Sequence, residues 1–145
     1  MSITTKASSR WEGDLRGGKG SMRLPSGTFE GAYTFKSRFG EGASEENGTN
    51  PEELIAAALS GCYAMYLANV LDKAGHKAEF VEAEATVRMD MDGGPNISAS
   101  KLTVRVKADG LDEATLQEKA REAVAGCPVS KALASVGKTV EATLV

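Results

Sequence analysis

The chain has 145 residues, 41% of them hydrophobic and 26% charged, which fits a globular protein with a core of its own. The net charge is −3 and Lys and Arg form no cluster, so we do not expect a nucleic-acid partner. Two cysteines are too few for a disulfide scaffold, and the first residues form no apolar signal segment. We therefore expect one cytoplasmic domain over residues 1–145.

Strands broken by glycines are predicted for the first part of the chain, Thr4–Phe39. The last of them is predicted over Gly31–Phe39, where the side chains alternate between two faces. An acidic loop that contains glycines is predicted to follow, over Gly40–Gly48.

A long helix is the clearest element of the sequence. Asn50 is placed to cap it, a proline follows, and Glu53 completes a capping box. If Thr49 is the cap instead, Glu52 takes the capping-box role. Gly75 predicts the end of the helix after about 24 residues, or about 36 Å. Because this run is apolar on nearly all sides, we expect it at the centre of the fold or against a second copy, and not in a membrane.

Two alternating strands, Val81–Asp92 and Lys101–Lys107, are predicted to pair through a turn at Asp92–Asn96. Two more helices and a closing strand complete the chain: Asp112–Ala125, Pro128–Val136 and Val140–Leu144. This order predicts an α+β fold with helices packed on a strongly antiparallel sheet.

The two cysteines are the candidate reactive groups. Cys62 lies inside the apolar helix, and Cys127 lies between Gly126 and Pro128 at the start of a short helix. Cysteine is among the most buried residue types, so both could be inert core residues. A reactive thiol needs a thiolate stabilised by a nearby cation, and the positive end of a helix dipole would favour a thiolate at Cys127. The pair could therefore be the attacking and resolving sulfurs of a thiol enzyme.

Arg38 is the best-placed source of the required cation, and the other early candidates are Arg10, Arg16 and Arg23. Glu52 is free to hold this arginine if Asn50 is the helix cap. Glu52 precedes Cys62 by ten residues, about 15 Å along a helix, and cannot touch that sulfur directly. An arginine could bridge part of the gap, or the glutamate could come from a partner subunit.

Two other readings stay open. The chain could be a non-enzymatic stress or small-ligand-binding domain with buried, inert cysteines. It could also be a cysteine hydrolase in which His76, the single histidine, assists Cys62. One histidine and two distant cysteines do not make a metal site, and we expect no cofactor.

Three segments together resemble the OsmC/Ohr family of thiol peroxidases: Gly48–Leu54, Cys62 and Ala125–Ser130. Trp11–Asp14 and Ser37–Phe39 are similar to the OsmC branch in particular. This resemblance covers essentially the whole chain. It implies an OsmC-like fold, with antiparallel sheets packed on a long central helix, in an intertwined homodimer with two active sites at the interface. It also implies the reduction of organic hydroperoxides.

The resemblance also implies a role for each site residue. Cys62 matches the peroxidatic cysteine, and Cys127 matches the resolving cysteine that forms a disulfide with it. Arg38 matches the OsmC-type arginine and Glu52 the residue that orients it, while the Ohr branch draws its arginine from earlier in the chain, which keeps Arg16 open. An external dithiol, such as that of a lipoyl protein, would restore both thiols.

The chain departs from the common family pattern at Ser60–Tyr63, where an Ala-Ala-Cys-Phe type of sequence is usual. We expect an apolar wall around Cys62, including Tyr63, Met65 and residues of a second subunit. Such a wall would favour hydrocarbon-bearing peroxides over polar ones.

Overall fold

The computed structural model describes residues 1–40 and 48–145, and these form two compact units, Met1–Leu54 and Ile55–Val145. Each unit carries a three-stranded sheet and helical residues, so the predicted α+β class is confirmed. The predicted loop at Gly40–Gly48 lies, over residues 41–47, outside the described residues.

The sheet of the first unit consists of three antiparallel strands in the order β1-β2-β3. Their bounds are Ser8–Glu12, Lys19–Arg23 and Glu30–Thr34. The rings of Trp11 in β1 and Tyr33 in β3 pack against each other with centroids 5.3 Å apart. The glycine-separated strands predicted from the sequence are therefore present.

The predicted strand over Gly31–Phe39 is wrong in its second half. The chain turns at Thr34 into a short helix, α1, over Phe35–Phe39. A capping box causes the turn: Ser37 N–H donates to Thr34 Oγ1 at 3.1 Å, and Thr34 N–H donates to Ser37 Oγ at 2.9 Å. These local hydrogen bonds compete with strand pairing and prevail here. Arg38 therefore lies on a helix and not at a strand end.

The long helix, α2, spans Pro51–Lys73. Asn50 caps it as predicted, since Glu53 N–H donates to Asn50 Oδ1 at 2.8 Å. The Glu53 carboxylate, however, accepts a hydrogen bond from Thr49 Oγ1 at 2.7 Å. Because Asn50 is the cap, the alternative frame that begins at Thr49 is not adopted and Glu52 is left without a capping-box role.

The C-terminus of α2 confirms the predicted stop at Gly75. Gly75 has a φ of +88°, and its N–H donates to Asp72 O at 3.0 Å. His76 N–H donates to Leu71 O at 2.9 Å, which completes a Schellman motif. By length and composition alone α2 could cross a membrane, but the core helices of soluble proteins often have the same length and composition.

The sheet of the second unit has the order β4-β5-β6, with bounds Ala78–Asp90, Asn96–Ala108 and Gly137–Leu144. β4 and β5 form the predicted hairpin, and the pair Arg105–Glu82 joins their exposed faces at 2.6 Å. β6 pairs with β5 in parallel, which differs from the strongly antiparallel sheet we predicted. The two helices between β5 and β6 carry the chain back to the start of the sheet, so the strands run in the same direction.

Those two helices are α3, Glu113–Gly126, and α4, Pro128–Ala132. α3 buries Leu116, Ala120 and Ala123. The core of the second unit joins these residues to buried side chains of α2 and β5, which are Leu59, Tyr63, Leu67, Leu71, Leu102, Val104 and Val106. This core holds the middle of α2 against the C-terminal part of α3.

Candidate active site

The two cysteines are brought together in the second unit. Both are free thiols, and Cys127 Sγ–H donates to Cys62 Sγ at 3.0 Å although the residues are 65 positions apart. Cys62 lies in the middle of α2 and is partly buried, whereas Cys127 is fully buried at the junction of α3 and α4. The pairing therefore depends on the packing of α3 on α2 and not on local sequence.

The environment of Cys127 differs from the thiolate-favouring one expected from its helix position. Burial raises the pKa of the Cys127 thiol, and the hydrogen bond to Cys62 acts in the same direction. The backbone N–H groups of Ser130 and Val129, at the start of α4, lower this pKa as a helix N-terminus should, but by less. Burial outweighs these N–H groups because the Cys127 thiol has no contact with solvent. Cys127 is therefore held mainly as a thiol.

An open groove of about 450 Å³ runs along α2 beside Cys62. It is lined by Cys62, Met65, Tyr66, Asn69 and Pro128. Most of this lining is apolar, and Asn69 contributes an amide. Cys62 is thus the thiol that faces the groove, and Cys127 lies behind it.

Tyr63 does not line this groove, which differs from the expected apolar wall around Cys62 that included it. The ring is fully buried in the core, and its hydroxyl donates to Ala120 O at 3.1 Å. Burial raises the pKa of Tyr63 well above its ordinary value, with a smaller contribution from Cys127. Tyr63 therefore anchors α2 to α3 directly beside the thiol pair.

Met65 lines the groove as expected, but Tyr66 and Asn69 were not identified from the sequence. Both lie on the helix face of Cys62, at spacings of four and seven residues. These spacings place Tyr66 and Asn69 on the same side of the helix as Cys62. They would have identified both residues if Cys62 had been known to face solvent.

Arg38 and Glu52 form a two-point ion pair in the first unit. Arg38 Nη2 donates to Glu52 Oε1 at 2.8 Å, and Arg38 Nε donates to Oε2 at 3.3 Å. The Glu52 side chain is 12% exposed and that of Arg38 is 35% exposed. This side-on geometry fixes the guanidinium plane and leaves its other N–H groups available.

Arg38 also borders a cavity of about 230 Å³ within the first unit. The cavity is lined by Trp11, Leu15, Tyr33, Thr34, Phe35, Arg38 and Phe39. The Arg38 guanidinium lies 4.9 Å from the centroid of the Phe39 ring, and that of Arg16 lies 5.0 Å from the centroid of the Phe35 ring. Arg38 thus has both a carboxylate partner and an aromatic partner, whereas the Arg16 guanidinium lies over an aromatic ring.

His76 lies beyond the C-terminus of α2, in the Schellman motif. Cys62 precedes the last residue of the helix by eleven positions, roughly 16 Å. This separation does not suit a Cys–His nucleophile pair, which needs hydrogen-bond contact. Among the described residues, no group of three or more His, Cys, Asp or Glu could hold a metal ion.

Comparisons with known proteins identify the family of the chain. The family model described as OsmC-like protein matches residues 42–142. The chain is 40% identical over 135 residues to peroxiredoxin OsmC of Escherichia coli K12, which covers 92% of each chain.

Two solved structures share the fold. The organic hydroperoxide resistance protein OhrB of Bacillus subtilis has a TM-score of 0.72 and 26% identity, with 95% of this chain and 98% of that chain covered. An OsmC-like protein of Mycoplasma pneumoniae has a TM-score of 0.73 and 13% identity over 100% and 99% of the two chains. The predicted resemblance is thereby confirmed: the chain belongs to the OsmC-like family and is an enzyme of the peroxidase type.

Proposed function

We propose that this protein is a thiol-dependent peroxidase that reduces organic hydroperoxides to alcohols through Cys62 and Cys127. The observation that supports this most strongly is the thiol pair. Two free sulfurs from distant parts of the chain lie 3.0 Å apart, and one of them faces an open groove. Inert core cysteines would not be expected to combine a contact between two sulfurs with access to a groove.

The reaction proceeds in two chemical steps. The Cys62 thiolate attacks the terminal peroxide oxygen, the O–O bond breaks, and the alkoxide takes a proton and leaves as the alcohol. Cys62 then carries a sulfenic acid. The Cys127 sulfur attacks the Cys62 sulfur, the S–O bond breaks, and the hydroxyl leaves as water with the Cys127 proton. The resulting disulfide is reduced by exchange with an external dithiol, such as that of a lipoyl protein.

Arg38 is the proposed activator of Cys62, with Glu52 as the residue that orients it. Support for this assignment comes from the family resemblance and from the two-point ion pair between the two side chains. A guanidinium is always charged near neutral pH, so it can stabilise the thiolate and the developing charge on the peroxide oxygens. The partner subunit's copy of this pair would supply the same chemistry.

The proposed substrates carry a hydrocarbon group. The groove beside Cys62 is mostly apolar, and the cavity that Arg38 borders is mostly aromatic. Both would favour alkyl or aryl hydroperoxides over hydrogen peroxide, because burial of apolar surface contributes about 25 cal/mol per Å². The name of the Bacillus relative, an organic hydroperoxide resistance protein, agrees with this substrate class.

We further propose a cytoplasmic homodimer with each chain as a single domain. α2 leaves apolar side chains on an open face, and Met65 is 78% exposed. A second copy of the chain that packs on this face would remove that surface from water.

One experiment tests the proposed function directly. Reduced protein receives one equivalent of cumene hydroperoxide, and intact mass and peptide mapping follow without reductant. We expect a loss of two hydrogens that maps to a Cys62–Cys127 disulfide. Cys62→Ser should abolish peroxide turnover, and Cys127→Ser should stop at the sulfenic acid or oxidise further.

The non-enzymatic alternative makes the opposite prediction. Buried, inert cysteines would leave the mass unchanged and would resist alkylation until the protein is denatured. A His76→Ala variant distinguishes the cysteine hydrolase from the peroxidase, because it would inactivate a hydrolase and leave a peroxidase active.

A further inference from the structure

We propose, on the basis of the function proposed above, that Tyr66 is a positioning residue for the step in which Cys127 attacks oxidised Cys62. Tyr66 follows Cys62 by one helical turn of α2, so the two side chains share a face of the helix. Its ring lines the groove and packs against the core of the second unit. Tyr66 therefore lies beside Cys62, the sulfur that Cys127 attacks.

The same ring is in close contact with the segment that carries the other sulfur. Gly126 is the last residue of α3 and immediately precedes Cys127. A Cβ atom at Gly126 would overlap the phenol oxygen and two ring carbons of Tyr66. The φ of Gly126 is not positive, so its backbone conformation does not require glycine. The close approach of the Tyr66 ring leaves no room for a side chain there unless the ring or the Gly126 backbone shifts.

This contact determines where Cys127 lies. Cys127 N–H donates to Ala123 O at 2.9 Å, and Cys127 O accepts from Lys131 N–H at 2.9 Å. The cysteine backbone therefore moves together with the ends of α3 and α4. The ring of Tyr66, packed on the residue before it, sets the distance between this junction and α2.

The two chemical steps depend on this distance differently. Disulfide formation requires the sulfurs to approach more closely than their present 3.0 Å, so a displaced Cys127 slows it. The attack of Cys62 on the peroxide forms no bond to Cys127, which contributes to it only the hydrogen bond from its Sγ–H. A positioning role for Tyr66 therefore predicts a change in the ratio of the two rates, which a general loss of stability would not produce.

The test is a double-mutant cycle with Gly126→Ala, Tyr66→Ala and the double variant. Each reduced protein receives one equivalent of cumene hydroperoxide, and acid-quenched samples are analysed by intact mass for sulfenic acid, disulfide and sulfinic acid. We expect Gly126→Ala to slow the conversion of sulfenic acid to disulfide by about fivefold or more and to accumulate sulfinic acid. In the Tyr66→Ala background the same change should have little further effect, because the overlapping ring is gone.

Two further variants complete the set. Gly137→Ala is the matched control, since a Cβ there would make only an ordinary contact of 3.4 Å with Ser98 O. Tyr66→Phe keeps the ring and should restore the disulfide-forming rate that Tyr66→Ala loses. This comparison tests the proposal even if Gly126→Ala fails to fold.

The outcomes separate this inference from the proposed function. If wild type forms the disulfide and Gly126→Ala forms it at the wild-type rate, the positioning role of Tyr66 is refuted and the peroxidase is not. An equal slowing by Gly126→Ala in both Tyr66 backgrounds would also refute it. If wild type never forms the disulfide, the proposed function fails and this inference fails with it.

Discussion

The Arg38–Glu52 pair gives the sharpest test of the proposed activation of Cys62. Glu52→Gln keeps the size of the side chain and removes the charge that binds Arg38 at two points. Hydrogen bonds to charged groups contribute about 1.5–3 kcal/mol. Because the Arg38 side chain is 35% exposed, solvent screens the pair and the lower end, about 1.5 kcal/mol, applies. The oriented population of Arg38 should then fall about tenfold.

The assay is stopped-flow oxidation of reduced protein by excess cumene hydroperoxide. Under the proposed mechanism, the second-order rate constant for Cys62 oxidation falls about tenfold in Glu52→Gln. Glu53→Gln is the matched control, because it removes the same charge one residue away, where the carboxylate binds Thr49. We expect it to stay within about twofold of wild type.

An Arg38→Gln background shows whether Glu52 acts through the arginine. There Glu52→Gln should have no further effect, because the group that it orients is already absent. A wild-type rate in Glu52→Gln would refute the reasoning. So would a tenfold loss that persists in the Arg38→Gln background.

Four other predictions concern stability and pH. Tyr63→Phe removes the hydrogen bond to Ala120 O and should lower the free energy of unfolding, measured by denaturation, by about 0.5–1.5 kcal/mol. The relative rates with two peroxides should not change, and altered specificity would contradict the placement of Tyr63 in the core. Ser37→Ala leaves Thr34 N–H and Thr49 O without their buried partner and should lower the free energy of unfolding by about 1–3 kcal/mol. In calorimetry the Tm should fall by about 2–4 °C per kcal/mol, and an unchanged Tm would contradict the capping box. The raised pKa of Cys127 means that the folded reduced protein holds this proton more tightly than the unfolded chain. Stability from this group is therefore complete below about pH 9 and is lost as pH rises further, whereas Cys127→Ala should show a flatter decline. For the same reason the rate of disulfide formation should rise with pH, by up to about tenfold per unit, and a flat profile between about pH 7 and 9 would count against thiolate attack by Cys127.

Local patterns in the sequence predicted the elements whose ends are set by neighbouring residues. Asn50 caps α2 and Gly75 terminates it, because both act through hydrogen bonds within one turn of the chain. The β4–β5 hairpin was predicted from strict alternation and a glycine turn, which also depend only on nearby residues. The prediction of a strand over Gly31–Phe39 was wrong in its second half. It was based on alternation with a period of two and did not take account of the capping box between Thr34 and Ser37.

Contacts between distant residues explain the other differences. The parallel pairing of β6 with β5 depends on how α3 and α4 return the chain, and no local pattern records it. Tyr63 and Tyr66 are three residues apart on one helix, yet one is fully buried and the other lines the groove. Which tyrosine lines the groove depends on the side of α2 that α3 covers.

By itself the sequence determined the family, the α+β class and the identity of the two cysteines, because motif spacing and local hydrogen bonding are properties of the chain alone. The tertiary structure decided that the two sulfurs lie 3.0 Å apart, that Cys62 faces the groove and that burial outweighs the helix dipole at Cys127. These depend on how α3 packs against α2, and that packing is set by apolar burial between residues far apart in the chain.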